Sequence, residues 1–213
     1  MSSHYEEEAE VEQLRRWWRE NWLALVAGLA LGLAGIFGWE AWQKAQTAKA
    51  EHASQVYEDL KRLPVEKTER AEELWQHLST DFAKTPYAAQ GALLLASQAA
   101  AREDWAKAQS RLEWVGAHSD DPGLKKLAQL RLARVLWQQA KPDAALALLD
   151  LPDDDPFATL YAELRGDIQL ARGDRDAARS AYEKALKLGP APASRQALQR
   201  KLEDLGGPTA AQS

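Results

Sequence analysis

The sequence contains no cysteine among its 213 residues. Thiol catalysis, zinc ribbons, iron–sulfur clusters and disulfide scaffolds are therefore excluded. It also lacks the basic excess that is typical of nucleic-acid-binding proteins, since 27 Lys and Arg stand against 32 Asp and Glu and leave a net charge of −5. We therefore expect no nucleic-acid partner.

Catalytic motifs are missing as well. The chain has no G-x-S-x-G, no glycine-rich phosphate loop and no H-E-x-x-H. Its four histidines are scattered without ligand spacing. The run Asp153-Asp154-Asp155-Pro156 resembles a cation site, but a linker explains it better, with Asp155 as a helix N-cap and Pro156 as the first helical residue. We expect no enzyme, no metal and no cofactor.

Residues 22–39 carry no charge and are rich in leucine, alanine and glycine. As a helix they would span roughly 27 Å, close to the hydrocarbon core of a bilayer at about 30 Å. Tryptophans stand at both ends, as in the aromatic belts of membrane proteins: Trp17, Trp18, Trp22, Trp39 and Trp42. The segment therefore predicts one transmembrane helix rather than a buried core helix, with the lipid bilayer as its surroundings.

The flanking cations predict the orientation of this helix. Three arginines precede it closely, whereas Lys44 and Lys49 follow further out. The positive-inside rule then places residues 1–21 in the cytoplasm and the C-terminal part of the chain across the membrane. A cleaved signal peptide is the competing interpretation, but the apolar stretch is longer than the usual 7–15 residues.

Small residues form a stripe along the predicted membrane helix. At about 100° per residue, its members fall within about 80° of one another. Such a stripe lets a second helix approach closely, although glycine is common in membrane helices anyway. The predicted membrane-helix contact consists of Ala24, Gly28, Gly32 and Gly35.

The rest of the chain predicts helices only, because no stretch shows a sustained alternation of period two. We expect an all-α protein in which a single N-terminal transmembrane helix precedes a solenoid of helical hairpins. The predicted organisation is membrane-proximal helices at 40–86, repeats at 87–190, a C-terminal capping helix at 191–206 and a disordered tail at 207–213.

Small residues recur at fixed spacing in the hairpins. In the last one, Gly166 and Ala178 would let two helices cross closely, and Tyr182 would fill the gap to the neighbouring pair. Ala145 lies 33 residues before Ala178, and Ala108 lies 37 residues before Ala145. This pattern resembles the tetratricopeptide repeat, a helix–turn–helix unit of 34 residues that needs about three copies to form a continuous core.

The first helices of such repeats line the inner face of the solenoid. Transferring that pattern by position predicts a partner-binding groove formed by Leu93, Leu130, Arg134, Trp137, Gln138 and Asp167. Trp137 and Arg134 are residue types enriched at interface hot spots. For Trp137 the alternative of simple packing between helices stays open.

The chain as a whole resembles the YfgM-type family of ancillary subunits of the bacterial SecYEG translocon. The similar stretches are collinear: YEEEAEVEQLRRWWREN, the membrane helix closed by GWEAW, LKKLAQLRLARVLWQQAKPDAALALLD and LRGDIQLARGDRDAARSAYEKAL. The resemblance implies an inner-membrane protein with a periplasmic repeat domain that associates with SecYEG and with a membrane-anchored periplasmic chaperone of the prolyl-isomerase type. It also implies contact with translocating client proteins, which the protein would help pass to folding factors.

The residues themselves leave a second function class open. In that alternative the protein is a membrane-anchored signalling tether, and its cytoplasmic residues 1–21 hold a regulator. Removing residues 1–16 distinguishes the two, because a translocon adaptor should keep its partners without them.

Overall fold

The computed structural model describes residues 3–206, with the side chains of Glu12 and of residues 14–206, and this range contains helices but no strand. The all-α prediction is confirmed, and the predicted tail at 207–213 lies outside the described residues. The helices in chain order are α1 (Ser3–Arg62), α2 (Thr68–Asp81), α3 (Pro86–Ala101), α4 (Trp105–His118), α5 (Pro122–Gln138), α6 (Pro142–Ala147), α7 (Ala158–Ala171), α8 (Arg175–Lys187) and α9 (Pro192–Asp204).

The chain divides into two compact units, Met1–Glu51 and His52–Ser213. In the first unit, α1 is long and apolar enough to cross a membrane, and none of its most apolar window is buried. Large apolar side chains such as Leu31, at 75% exposure, face outward along this stretch. A buried core helix would hide these side chains, so that alternative does not hold.

The second unit is a series of antiparallel helix pairs. α3 packs on α4, α4 on α5, α5 on α6, α7 on α8 and α8 on α9. Its first core cluster joins Leu60 and Leu78, which precede the expected repeats, to Ala88 and Leu93 within them. The predicted boundary at residue 86 therefore does not separate two cores in this structure.

The repeat spacing seen in the sequence marks the helix crossings. Each pair has a small residue on its first helix, a second one 12 positions later and a large side chain 16 positions later, all fully or almost fully buried. The three sets are Ala96, Ala108 and Leu112, then Ala133, Ala145 and Leu149, and finally Gly166, Ala178 and Tyr182. Small residues at these positions bring the two helix backbones together, and the large side chain fills the adjoining space.

Aspartate caps begin three of the helices. Asp104 accepts a hydrogen bond from the Lys107 amide, Asp121 from the Gly123 and Leu124 amides, and Asp174 from the Ala177 amide. Asp155 does not have the predicted N-cap role, because α7 starts later, at Ala158, and Phe157 is its N-cap. Asp155 instead closes the preceding turn, accepting from the Phe157 amide at 2.9 Å and from the Lys126 ammonium.

The second helix of the middle pair is short. α6 ends at Ala147, and its last turn tightens into i→i+3 hydrogen bonds at Leu148 and Leu149. The backbone carbonyls at this end that lack a partner within the helix accept hydrogen bonds from side chains. Gln129 of α5 donates to the Leu148 carbonyl at 2.7 Å, and Arg165 of α7 donates to the Leu149 carbonyl. Side chains of both neighbouring helices thus replace the missing turn.

A pair of Gly→Ala substitutions tests the close crossing of α7 and α8. A Cβ at Gly166 would overlap the buried Tyr182 ring, whereas a Cβ at Gly116 of α4 would meet nothing within 4 Å. We expect Gly166→Ala to lower the free energy of unfolding by about 1–3 kcal/mol. Gly116→Ala should raise it by about 0.5–1 kcal/mol, because alanine loses less backbone entropy in a helix. Denaturant unfolding of the purified chain measures both, and equal effects would contradict the packing described.

Candidate functional site: a cleft between α3 and α5

A cleft of about 280 Å³ opens between the first helices of two successive pairs, with α4 beneath them. Its apolar floor is formed by buried Leu112 and Val135 and by partly buried Trp105. The polar residues at the cleft are Ser97, Arg131, Arg134 and Gln138. The volume lies just below the roughly 300–1,000 Å³ of pockets that hold drug-sized ligands, so the cleft suits one or two side chains of a larger partner.

The two arginines give this cleft a positive character. Arg131 donates a long hydrogen bond of 3.5 Å to the Leu93 carbonyl, and Arg134 is exposed. Neither guanidinium forms an ion pair with a carboxylate in the described part of the chain, and no acidic side chain lines the cleft there. An unpaired guanidinium over an apolar floor is a ready donor to an oxygen anion.

The predicted groove residues do not lie together as one surface. Arg134 and Gln138 line the cleft. Leu93 and Leu130, however, are only 6% and 2% exposed and belong to the core, so the expectation that they face a partner is corrected. The physical reason is that each first helix in the stack buries apolar side chains against helices of its own and neighbouring pairs.

Trp137 is partly buried and packs against the second core cluster, which contains Leu130 and Tyr161. This placement favours the packing interpretation that the sequence left open. Arg131 and Trp105, which do line the cleft, were not predicted. Arg131 lies three residues before Arg134 on the same helix, and this i,i+3 spacing was a signal that could have found it.

Asp167 lies outside the cleft, in an ionic network that ties α9 to α7 and α8. It accepts from the Tyr182 hydroxyl at 2.8 Å and from the Lys201 ammonium at 2.7 Å, and Lys201 also pairs with Glu163 at 2.8 Å. Burial raises the pKa of Tyr182 well above its usual value, and the hydrogen bond to Asp167 adds to this effect. Burial opposes the charge of Lys201, but hydrogen bonds to Asp167 and Glu163 outweigh it and raise its pKa.

Comparisons with known proteins cover most of the chain. The model of the tetratricopeptide repeat-like domain matches residues 15–207. The ancillary SecYEG translocon subunit of Haemophilus influenzae is 34% identical over 191 residues, which are 89% of this chain and 93% of the relative. Proteins of the same name are 33% identical in Escherichia coli, over 96% of this chain and 99% of the relative, and 31% identical in Neisseria gonorrhoeae, over 96% and 100%.

The chain belongs to the family of ancillary SecYEG translocon subunits. The family resemblance read from the sequence is thereby confirmed, together with the tetratricopeptide-like fold. The matches cover both the apolar part of α1 and the helical pairs. A helical-repeat fold is typical of proteins that bind other proteins.

The ionic network predicts a loss of stability at high pH. The pKa values of Tyr182 and Lys201 are both raised above their ordinary values of 10.0 and 10.5. Groups with a raised folded-state pKa stabilise the fold fully below the unfolded-state pKa, and this contribution disappears as pH rises through the folded-state pKa. We therefore expect the free energy of unfolding to fall above about pH 10, as measured by urea unfolding at several pH values.

Two phenylalanine variants test the contribution of Tyr182. Tyr182→Phe removes the ionisable hydroxyl from the network, so the fall above pH 10.0 should become shallower. Tyr57→Phe is the matched control, because this partly buried ring lies outside the network. The same pH dependence in Tyr182→Phe as in the parent chain would contradict the assignment.

The effect of each substitution on the free energy of unfolding distinguishes the roles of Trp137 and Arg134. Because Trp137 packs against the core, Trp137→Ala should lower the free energy of unfolding by about 2–3 kcal/mol, somewhat less than for a fully buried tryptophan. Arg134→Ala removes an exposed side chain and should change it by less than about 0.5 kcal/mol. Thermal unfolding checks both values. An unchanged melting temperature in Trp137→Ala would instead make this residue a surface anchor.

Proposed function

We propose that this protein is a membrane-tethered periplasmic helical-repeat adaptor that associates with the SecYEG translocon and helps pass translocated proteins to periplasmic chaperones. The observation that carries the proposal is the collinear similarity to relatives named ancillary SecYEG translocon subunits, over 96% of this chain in the Escherichia coli relative. The repeat-like second unit supplies a protein-binding scaffold. Within the described range, no cluster of metal-ligating residues occurs.

The proposed location is the inner membrane, crossed once by residues 22–39. An exposed apolar surface of this length needs a cover, and a lipid bilayer provides it. Arg15, Arg16 and Arg19 favour a cytoplasmic N-terminus, which puts the second unit in the periplasm. A periplasmic position also suits a chain without cysteine, because no stray disulfide can form there.

The proposed partners are SecYEG, a membrane-anchored periplasmic chaperone of the prolyl-isomerase type, and translocating clients. Two surfaces are proposed for them. The small-residue stripe of α1 would receive a membrane helix, since a Cβ at Gly28, Gly32 or Gly35 would meet nothing within 4 Å. The α3–α5 cleft, with Arg134 and Gln138, would receive a periplasmic partner.

Substitution of the stripe tests the membrane contact. Gly28→Leu combined with Gly32→Leu would prevent close helix approach while keeping the segment apolar, so insertion should survive. Co-purification with SecYEG should fall several-fold, which corresponds to about 1 kcal/mol. Ala30→Leu is the matched control, because it lies about 160° away from the centre of the stripe. Equal co-purification of both variants would show that the stripe is ordinary glycine usage.

The topology is tested independently. Protease added to spheroplasts should digest the chain beyond residue 45 and spare the N-terminal segment, because the proposed orientation exposes only the second unit. Intact inverted vesicles exposed to the same protease serve as the control. They should protect the second unit, because it would lie inside them. Full protection of the second unit in spheroplasts would overturn the proposed function.

A further inference from the structure

Several cations that link helices elsewhere in the second unit pair with carboxylates, whereas Arg165 binds a backbone carbonyl. Lys107 and Arg111 of α4 pair with Glu72 of α2, so that the pKa of Glu72 is lowered although its partial burial works in the opposite direction. Similar links join Lys126 to Asp155, Arg172 to Asp143 and Lys184 to Asp153. Arg131 and Arg134 differ from these cations, because the cleft that they share brings no carboxylate to them from the described residues.

The same position in α3, α5 and α7, the first helices of the three pairs, shows how Arg134 differs in its charge compensation. Ser97, Arg134 and Asp167 each follow the small residue at the helix crossing of their pair. Ser97 is neutral, and the charge of Asp167 is balanced by Lys201. Arg134 alone of these three is an uncompensated charge, and it stands at the edge of an apolar floor. The chain as a whole carries a charge of −5, so this positive cleft is a local feature and not a consequence of composition.

We propose that the α3–α5 cleft binds a segment of a partner polypeptide in which an aspartate or glutamate lies beside an apolar side chain. The carboxylate would accept hydrogen bonds from Arg134, with Arg131 adding a second positive charge. The apolar side chain would cover the floor formed by Trp105, Leu112 and Val135. This proposal rests on the adaptor function proposed above and names the chemistry that one of its surfaces recognises.

The floor explains why a peptide is favoured over a free anion. A phosphate or sulfate would satisfy the arginines but leave the accessible apolar surface of the partly buried Trp105 facing water. A purely apolar segment would cover the floor but remove water from Arg134 without replacing its hydrogen bonds, which costs free energy. Only a segment that carries both groups is complementary to the whole cleft.

The test uses the full chain in nanodiscs and a displayed library of random peptides, with empty nanodiscs for counter-selection. We expect the selected peptides to be enriched in aspartate or glutamate next to an apolar residue. A synthetic copy of a selected peptide should bind at least about tenfold more weakly to Arg134→Glu than to the parent chain, and its affinity should fall with added salt.

Arg195→Glu is the matched control for charge. It makes the same charge change on an exposed arginine of α9, outside the cleft, and should reduce peptide binding less than about twofold. Arg134→Lys keeps the charge but loses the planar fork, so its loss should lie between those of the other variants. Thermal unfolding of each variant verifies that the fold is retained.

Four results would overturn the proposal. Selected peptides without acidic enrichment would remove the carboxylate requirement, and equal losses in Arg134→Glu and Arg195→Glu would show a general charge effect. Displacement of the peptide by inorganic phosphate at the same concentration would show an anion site without use of the floor. Self-association that Arg134→Glu abolishes, in the absence of peptide selection, would show that a second copy of the chain occupies the cleft.

Co-purification with SecYEG separates this proposal from the proposed function. If the parent chain co-purifies with SecYEG but selects no acidic peptides, the cleft assignment alone fails. If it selects acidic peptides through Arg134 but does not co-purify, the translocon association fails and the recognition chemistry stands.

Discussion

The second unit depends on close helix crossings, because a helical hairpin cannot bury its own apolar faces and must stack on its neighbours. The residues that close the three crossings compensate for one another in volume. Ala96 and Ala133 share core clusters with leucines of their own pairs, Leu112 and Leu149, whereas the smaller Gly166 leaves room for the ring of Tyr182. The larger ring of Tyr182 thus occurs with the smaller residue, as expected where a close-packed interior tolerates changes that conserve volume best.

Several polar residues of this unit connect neighbouring helices. Gln129 and Arg165 bind the carbonyls left open where α6 ends early, and Lys201 holds α9 against α7 through Glu163 and Asp167. These groups are already engaged, so a partner that used them would have to displace an internal hydrogen bond or ion pair. A recognition site is therefore favoured where polar groups make no internal hydrogen bond or ion pair. Among the described residues, Arg134 in the α3–α5 cleft is such a group.

The local patterns of the sequence predicted most of the fold. The spacing of small residues located the helical pairs, and the predicted close crossing at Gly166 and Ala178 lies where α7 meets α8. The predictions failed where the outcome depends on residues far apart in the chain. Leu93 and Leu130 are buried because of helices stacked beside them, and Asp167 is neutralised by Lys201, 34 residues later. A periodic pattern identifies one face of a helix, but the neighbouring pairs decide how much of that face remains open.

Attachment to a membrane would lower the affinity that the small cleft needs for its partner. With one arginine proposed to bind a carboxylate and a floor for one or two side chains, its affinity for a free peptide is expected to be modest. In the proposed role, α1 holds the protein in the membrane where its partners also lie, and this confinement raises their effective concentration without any added contact. Weak binding then suffices for capture, and it also allows rapid release, since affinity differences between related complexes lie mostly in the dissociation rate. An adaptor that hands proteins onward requires that release as much as the binding itself.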